Sequence, residues 1–244
     1  MSGHSHAKTI MATKMANDAK KGKIYSKYGR LITVAVKDGG GSGDPAKNSK
    51  LKAVIEQAKA VNMPKDNIER AIKKGTGELA GEALEEFTYE AFGPGGIALV
   101  ITGITDNTNR TLGEIKVTLN QNAGKMAGEG AVRWMFERKG VITINPNAQS
   151  PMPKNEELEM AAIEAGADDI KIYDDGVDIF TKPEDLDAVK KALEDKGLKI
   201  ENASLDYVAK EEVELSGKDK QAAEKLFEAL DDNESVNNVY SNLK

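Results

Sequence analysis

Residues 141–201 read VITINPNAQSPMPKNEELEMAAIEAGADDIKIYDDGVDIFTKPEDLDAVKKALEDKGLKIE, and this stretch decides the fold. Short apolar or alternating runs at 141–144, 170–173, 177–181 and 198–201 predict strands. Apolar residues at helical spacing over 156–165 and 184–196 predict two helices. The resulting order is βαββαβ, which is the ferredoxin-like arrangement.

Working outward, the preceding segment predicts strands at Phe87 to Ala91 and Ile97 to Thr102, joined by Phe92-Gly93-Pro94-Gly95-Gly96. A helix bearing Leu112, Ile115 and Leu119 follows and ends before Gly124. Its start fits a capping box of Thr111 with Glu114, or a cap by Asn109. Val132, Trp134 and Phe136 alternate as a strand, with Arg138-Lys139-Gly140 as a turn into Val141. Beyond the ferredoxin-like block come a strand (Val213 to Leu215), a helix (Ala223, Leu226, Phe227, Leu230) and a strand (Val236 to Tyr240). Flanking pieces of this kind are expected to pair with each other, so the block is read as an insertion.

The first 80 residues have a different period. Ile24, Tyr28, Leu31, Ile32 and Ala35 recur at helical spacing until Gly39-Gly40-Gly41-Ser42-Gly43. Asp44 and Pro45 suit an N-cap and first helical position, opening a helix that aligns Leu51, Val54, Ile55, Ala58 and Val61. A third helix starts near Pro64, turns Ile68, Ala71 and Ile72 inward, and stops at Gly75. The expected fold class is therefore multidomain α+β. A helical domain spans 1–80, a discontinuous α+β domain spans 81–140 plus 205–244, and a ferredoxin-like insertion spans 141–204.

A net charge of −6 over 244 residues conceals a strong asymmetry. Residues 1–75 carry 16 Lys/Arg against 6 Asp/Glu, whereas the remainder carries 18 against 34. Such a split is the mark of an electrostatic footprint confined to one region. The absence of cysteine excludes disulfides, thiolate nucleophiles and thiolate-ligated zinc. The longest apolar run, Ile97 to Ile101, is too short to cross a bilayer, and the N-terminus lacks a secretory apolar stretch. A cytoplasmic protein without a membrane partner is expected.

Catalytic chemistry is poorly supplied. The only histidines, His4 and His6, lie in the first six residues, so a His-based acid, base or triad is not expected. No further His or Cys completes a metal site with them. Neither glycine run is followed by Gly-Lys-Ser/Thr, so both are read as turns rather than phosphate loops. Glu156-Glu157 and Asp174-Asp175 fit no EF-hand spacing and are read as solvated acidic surface. The reading is a non-enzyme with no catalytic residue, metal or cofactor.

The basic region has geometry. Lys20, Lys23, Lys27 and Arg30 fall three, four and three residues apart, forming a helical stripe separate from Ile24, Tyr28, Leu31 and Ala35. Lys21 adjoins it, and Lys8 and Lys14 extend positive charge toward the N-terminus. Lys47, Lys50, Lys52 and Lys59, with Lys65, Arg70, Lys73 and Lys74, add to it on the other two helices. Lysine suits phosphate because it displaces condensed counterions. Asn62, Asn67 and Arg70 are the candidates for base contacts. The expected partner is the phosphate backbone of a nucleic acid, with the acidic remainder available to a protein partner.

At this point the sequence resembles the YebC/PmpR family. The resemblance rests on Gly3-His4-Ser5, Asp18-Ala19-Lys20-Lys21-Gly22-Lys23-Ile24, and the run from Asn62-Met63-Pro64-Lys65-Asp66-Asn67-Ile68 through Glu69-Arg70-Ala71-Ile72-Lys73-Lys74-Gly75. Tyr89-Glu90-Ala91-Phe92-Gly93-Pro94-Gly95-Gly96 and Thr105-Asp106-Asn107-Thr108-Asn109-Arg110-Thr111 complete it. It implies three domains. It also implies a DNA-binding transcriptional regulator, or a ribosome-associated translation factor, since the family includes mitochondrial translational activators. The family's usual start has Lys-Trp where this chain has His6-Ala7, which removes a cation and an aromatic ring from the arm.

Overall fold

The computed structural model describes residues 18–81, 83–145, 154–173 and 176–244, with side chains from residue 21 onward. Three helices come first: α1 (Asp18–Asp38), α2 (Ser49–Ala60) and α3 (Lys65–Thr76). Tyr28, Ile32, Ala35 and Val36 of α1 bury themselves against Leu51, Val54, Ile55 and Ala58 of α2 and Ile68 and Ala71 of α3. The helix expected to open at Asp44 opens at Ser49, because Asn48 is the better cap. The Asn48 Oδ1 accepts from the Leu51 N–H at 2.9 Å, while its Nδ2 donates to the Ala35 carbonyl at 2.8 Å. One buried amide thus satisfies groups on two helices. Asp44 instead accepts from the Ala46 N–H in a local turn.

Helices α1 and α3 cross closely at Gly75. A Cβ there would lie 2.6 Å from Val36 Cβ and 2.9 Å from the Thr33 carbonyl. The Thr33 hydroxyl donates across the same crossing to the Ala71 carbonyl at 3.1 Å. Gly75→Val is therefore expected to destabilise the helical core by about 1–3 kcal/mol, as overpacking does. Faster hydrogen exchange of α1 and α3, with little change in the ferredoxin-like block, measures this.

The next sheet comprises β1 (Glu85–Phe92), β2 (Ala98–Thr105), β3 (Lys125–Met126) and, far along the chain, β8 (Val236–Ser241). Its order is β3-β1-β2-β8, all antiparallel. Helices α4 (Thr108–Gln121) and α7 (Gly217–Asp231) cover one face. There Ile115, Leu119, Leu226, Phe227 and Leu230 pack on Phe87, Leu99, Ile101 and Val239. The α4 cap is Asn107, whose Oδ1 accepts from the Arg110 N–H at 3.0 Å, rather than Asn109 or Thr111. Thr111 is buried, its hydroxyl 2.8 Å from that of Thr105.

Between β3 and α7 the chain builds a second sheet from β4 (Phe136–Ile144), β5 (Asp169–Ile172), β6 (Val177–Thr181) and β7 (Ile200–Ala209). The order β5-β6-β4-β7 places the first strand of the block between its third and fourth, as the ferredoxin-like fold requires. Helices α5 (Asn155–Ala165) and α6 (Leu186–Asp195) bury Leu158, Ala162, Val189 and Leu193 on it. The protein is thus a multidomain α+β chain with a ferredoxin-like insertion.

Three expectations change here. Arg138-Lys139-Gly140 is not a turn, because these residues pair with Tyr207, Asp206 and Leu205 inside a continuous β4. Val132-Trp134-Phe136 is not a strand. Val132 and Phe136 are buried, but Trp134 is 66% exposed on a one-turn 3-10 segment at Arg133–Met135. Val213 forms only an isolated bridge to Leu243, because β7 has already extended to Ala209. The two sheets meet through Ala98, Val100, Val132, Phe136, Tyr207 and Tyr240. Among the described residues, no helix is long and apolar enough to cross a membrane.

Candidate nucleic-acid interface

A cleft of about 420 Å³ lies along the α1–α3 crossing and is lined by Gly22, Ser26, Gly29, Arg30, Asn67, Arg70 and Lys74, among others. Its floor is open because Gly22 and Gly29 carry no side chain, and nothing would meet a Cβ at either. Lys65, Arg70, Lys73 and Lys74 are all exposed on α3, whose apolar side is taken by Ile68 and Ala71. Arg70 and Lys74, one helical turn apart, form the cleft rim. Lys65 reaches Glu69 at 3.4 Å across open solvent, a pair worth little. Asn67 lines the cleft. Asn62 serves the backbone, taking a φ of 58° between α2 and α3, where its carbonyl accepts from the Tyr25 hydroxyl at 2.9 Å.

The expected outward stripe on α1 is corrected by the structure. Lys27 is buried, donating to the Asp231 carbonyl at 2.8 Å and pairing with the Asp231 carboxylate at 3.0 Å. Lys23 pairs with Asp232 at 3.6 Å and donates to its carbonyl at 3.2 Å. Arg30 donates to the Glu234 carbonyl at 2.6 Å and meets its carboxylate at 3.6 Å. The physical reason is the C-terminal end of α7. Its unpaired carbonyls and negative dipole end attract cations, and three acids add to that attraction. The helical spacing of the stripe is as read, but its partner is internal.

The Thr105–Thr111 motif supports this clamp from behind. Thr111 also donates to the Ser235 hydroxyl at 3.4 Å, and Asn233 donates to Glu114 at 2.9 Å, which fixes the turn after α7. A hydrogen bond from Arg110, helped by the nearby Arg30 charge, holds the Asp106 carboxyl below the usual carboxylate range. A second tie joins Lys50 to Asp38 and Glu86. Burial works against the Lys50 charge, but the two acids outweigh it and raise its pKa.

Lys8 and Lys14 lie outside the described residues, as do His4, His6 and the Lys20 side chain, and Lys21 is half-buried. Gly40 and Gly41 adopt positive φ after α1, and Gly95 and Gly96 do so between β1 and β2, as turns require. Glu156 and Glu157 occupy the first turn of α5, and Asp174-Asp175 falls outside the described residues. No group of three His, Cys, Asp or Glu side chains gathers for a metal among the described residues. Sequence reasoning missed Asp231, Asp232 and Glu234, since their acidic run reads as ordinary surface until α7 is placed against α1.

Comparison with known proteins places these features in a family. A family model described as "TACO1/YebC protein N-terminal domain" matches residues 5–78, and one described as "TACO1/YebC second and third domain" matches residues 84–243. A "probable transcriptional regulatory protein" of Pseudothermotoga lettingae is 48% identical, the match covering 100% of this chain and 94% of that one. Its counterpart in Thermotoga maritima, with the same name, is 46% identical over the same shares. The crystal structure of a conserved hypothetical protein from Aquifex aeolicus superposes with a TM-score of 0.84 at 40% identity, covering 93% of this chain and 91% of that one. The chain belongs to the TACO1/YebC family.

Proposed function

We propose that this protein is a transcriptional regulator that binds DNA through the exposed cations of α3 and the adjoining cleft. The observation that carries the reading is the separation of two sets of basic residues. Lys23, Lys27 and Arg30 are engaged by α7, whereas Arg70, Lys73 and Lys74 stand exposed beside an open, glycine-floored groove. Nothing in the α3 fold itself requires a cluster of like charges, which repel one another at i, i+4 spacing. A polyanion relieves that repulsion. The names of the relatives support the regulatory role.

Phosphate contacts position a protein on nucleic acid without reading sequence. Arg70 and Asn67 are the side chains on this surface with the donor geometry for base edges. With Lys65, Arg70, Lys73, Lys74 and the lysines at the start of α1, about six phosphates would be neutralised. The logarithm of the binding constant should then fall against log salt with a slope near −5. Titration of duplex DNA at several salt concentrations measures the slope, and binding indifferent to salt would overturn the reading. The second reading, a ribosome- or RNA-associated factor, uses the same surface, because charge and shape dominate contacts to A-form RNA. Competition between duplex DNA, duplex RNA and ribosomes for one labelled complex separates the two.

A further inference from the structure

Trp134 is the sole tryptophan of the chain and is 66% exposed, although tryptophan is a strongly buried residue on average. Its exposure is not a matter of loose backbone. The Glu90 carboxylate on β1 is itself buried and accepts three backbone N–H groups, from Gly130 at 2.6 Å, Val132 at 2.7 Å and Arg133 at 2.9 Å. Burial works to raise the Glu90 carboxyl, but these three donors and the Arg133 charge outweigh it and hold its pKa below the usual range. Val132 and Phe136, on either side, are anchored in the cluster that joins the two sheets. The indole N–H donates to the Ala131 carbonyl at 3.0 Å. The ring is therefore oriented by its own turn and its polar edge is satisfied, so its apolar face is presented to solvent at little further ordering cost.

The surroundings are cationic. Residues 124–140 carry Lys125, Arg133, Arg138 and Lys139 against Glu129 and Glu137, in a part of the chain that is otherwise strongly acidic. Glu137 pairs with Lys139 at 3.5 Å. Arg133 and Arg138 are exposed, with guanidinium groups 5.7 and 4.8 Å from the Tyr207 ring centre. An oriented aromatic face on a segment that also exposes cations, with Arg133 its neighbour in sequence, is the combination that binds an unpaired base and its phosphate. A duplex offers no such base, because its rings are stacked inside. We infer that Trp134 and Arg133 form a stacking site for an unpaired nucleobase of single-stranded nucleic acid, separate from the phosphate surface on α3.

This inference rests on the nucleic-acid reading above, and the test distinguishes the two. Because Trp134 is the only tryptophan, its emission reports on this site alone. A fluorescently labelled twelve-nucleotide oligouridine is titrated into the full chain, with anisotropy reporting binding and tryptophan emission reporting stacking. The expected result is quenching of Trp134 in step with the anisotropy change. Trp134→Ala should weaken binding by about 10-fold or more, and Trp134→Phe should retain most of it. Oligouridine bound with unchanged emission and with full affinity in Trp134→Ala would overturn the stacking site while leaving the α3 surface intact. Absence of binding to any single- or double-stranded oligonucleotide would overturn both. A change of emission with protein concentration alone would assign the ring to contact with a second copy, and would likewise overturn the inference.

Discussion

Lys27→Met is expected to destabilise the contact between the N-terminal helices and α7 by about 3 kcal/mol, the largest effect of any single substitution in the clamp. Lys27 is the one buried Lys or Arg among the described residues, and its ammonium group holds both the carboxylate and the backbone carbonyl of Asp231. Methionine keeps the length of the stem but leaves both acceptors without that donor. Removing one partner of a buried pair costs about 3–5 kcal/mol, chiefly because the other charge stays behind. The lower figure applies because the Asp231 side chain remains 28% exposed and can recover some hydration. Lys23→Met and Arg30→Met should cost less, since Asp232 and Glu234 are 63% and 55% exposed. The chain has several cores, so one unfolding midpoint would not isolate the effect. Hydrogen exchange of α1 and of the last turn of α7 does isolate it, with faster exchange in both and little change in the ferredoxin-like block. The double variant Lys27→Met with Asp231→Asn should recover part of the loss, and failure to do so would show that the ion pair does not hold the two elements together.

The fold was more legible than the site, and particular residues show why. The βαββαβ block could be read because its strands are short runs bounded by turn residues, as Val177 to Thr181, buried at all five positions, shows, while its helices bury one face, as Val189 with Leu193 does. Trp134 defeated the same rule. Two buried residues flank it at strand spacing, yet a distant carboxylate, Glu90, pulls the backbone into a turn that no local pattern reveals. Asn48 displaced Asp44 as a cap for a comparable reason, because its second hydrogen bond goes to another helix. At the site, the spacing of Lys23, Lys27 and Arg30 correctly places them on one helical face. What spacing cannot say is which polyanion lies opposite. Here that is Asp231, Asp232 and Glu234, about two hundred residues away, which mimic a row of phosphates. Composition marked a cation-rich region, but only packing divides its cations into those that hold domains together and those that stay exposed on α3.

That division makes the second large prediction specific to α3. Replacing Arg70, Lys73 and Lys74 together with alanine should weaken binding to duplex nucleic acid by about 100-fold at 0.15 M salt. The figure follows from counterion release, in which each lost phosphate contact removes about 0.9 from the salt slope and roughly 5-fold in affinity at that concentration. The slope should fall from near −5 to near −2. Helix α3 itself should survive, because alanine is the best helix former and the buried residues Ile68 and Ala71 are untouched. Circular dichroism of the variant serves as that control. The matched triple substitution of Lys182, Lys190 and Lys191, in the ferredoxin-like block, should leave both affinity and slope as they were. Equal losses from both variants would mean that binding follows net charge rather than a surface. An unchanged slope in the α3 variant would move the interface away from α3 altogether. The remaining exposed cations, Lys47, Lys52 and Lys59 of the helical domain and those around Trp134, would then be the surfaces left to carry the contact.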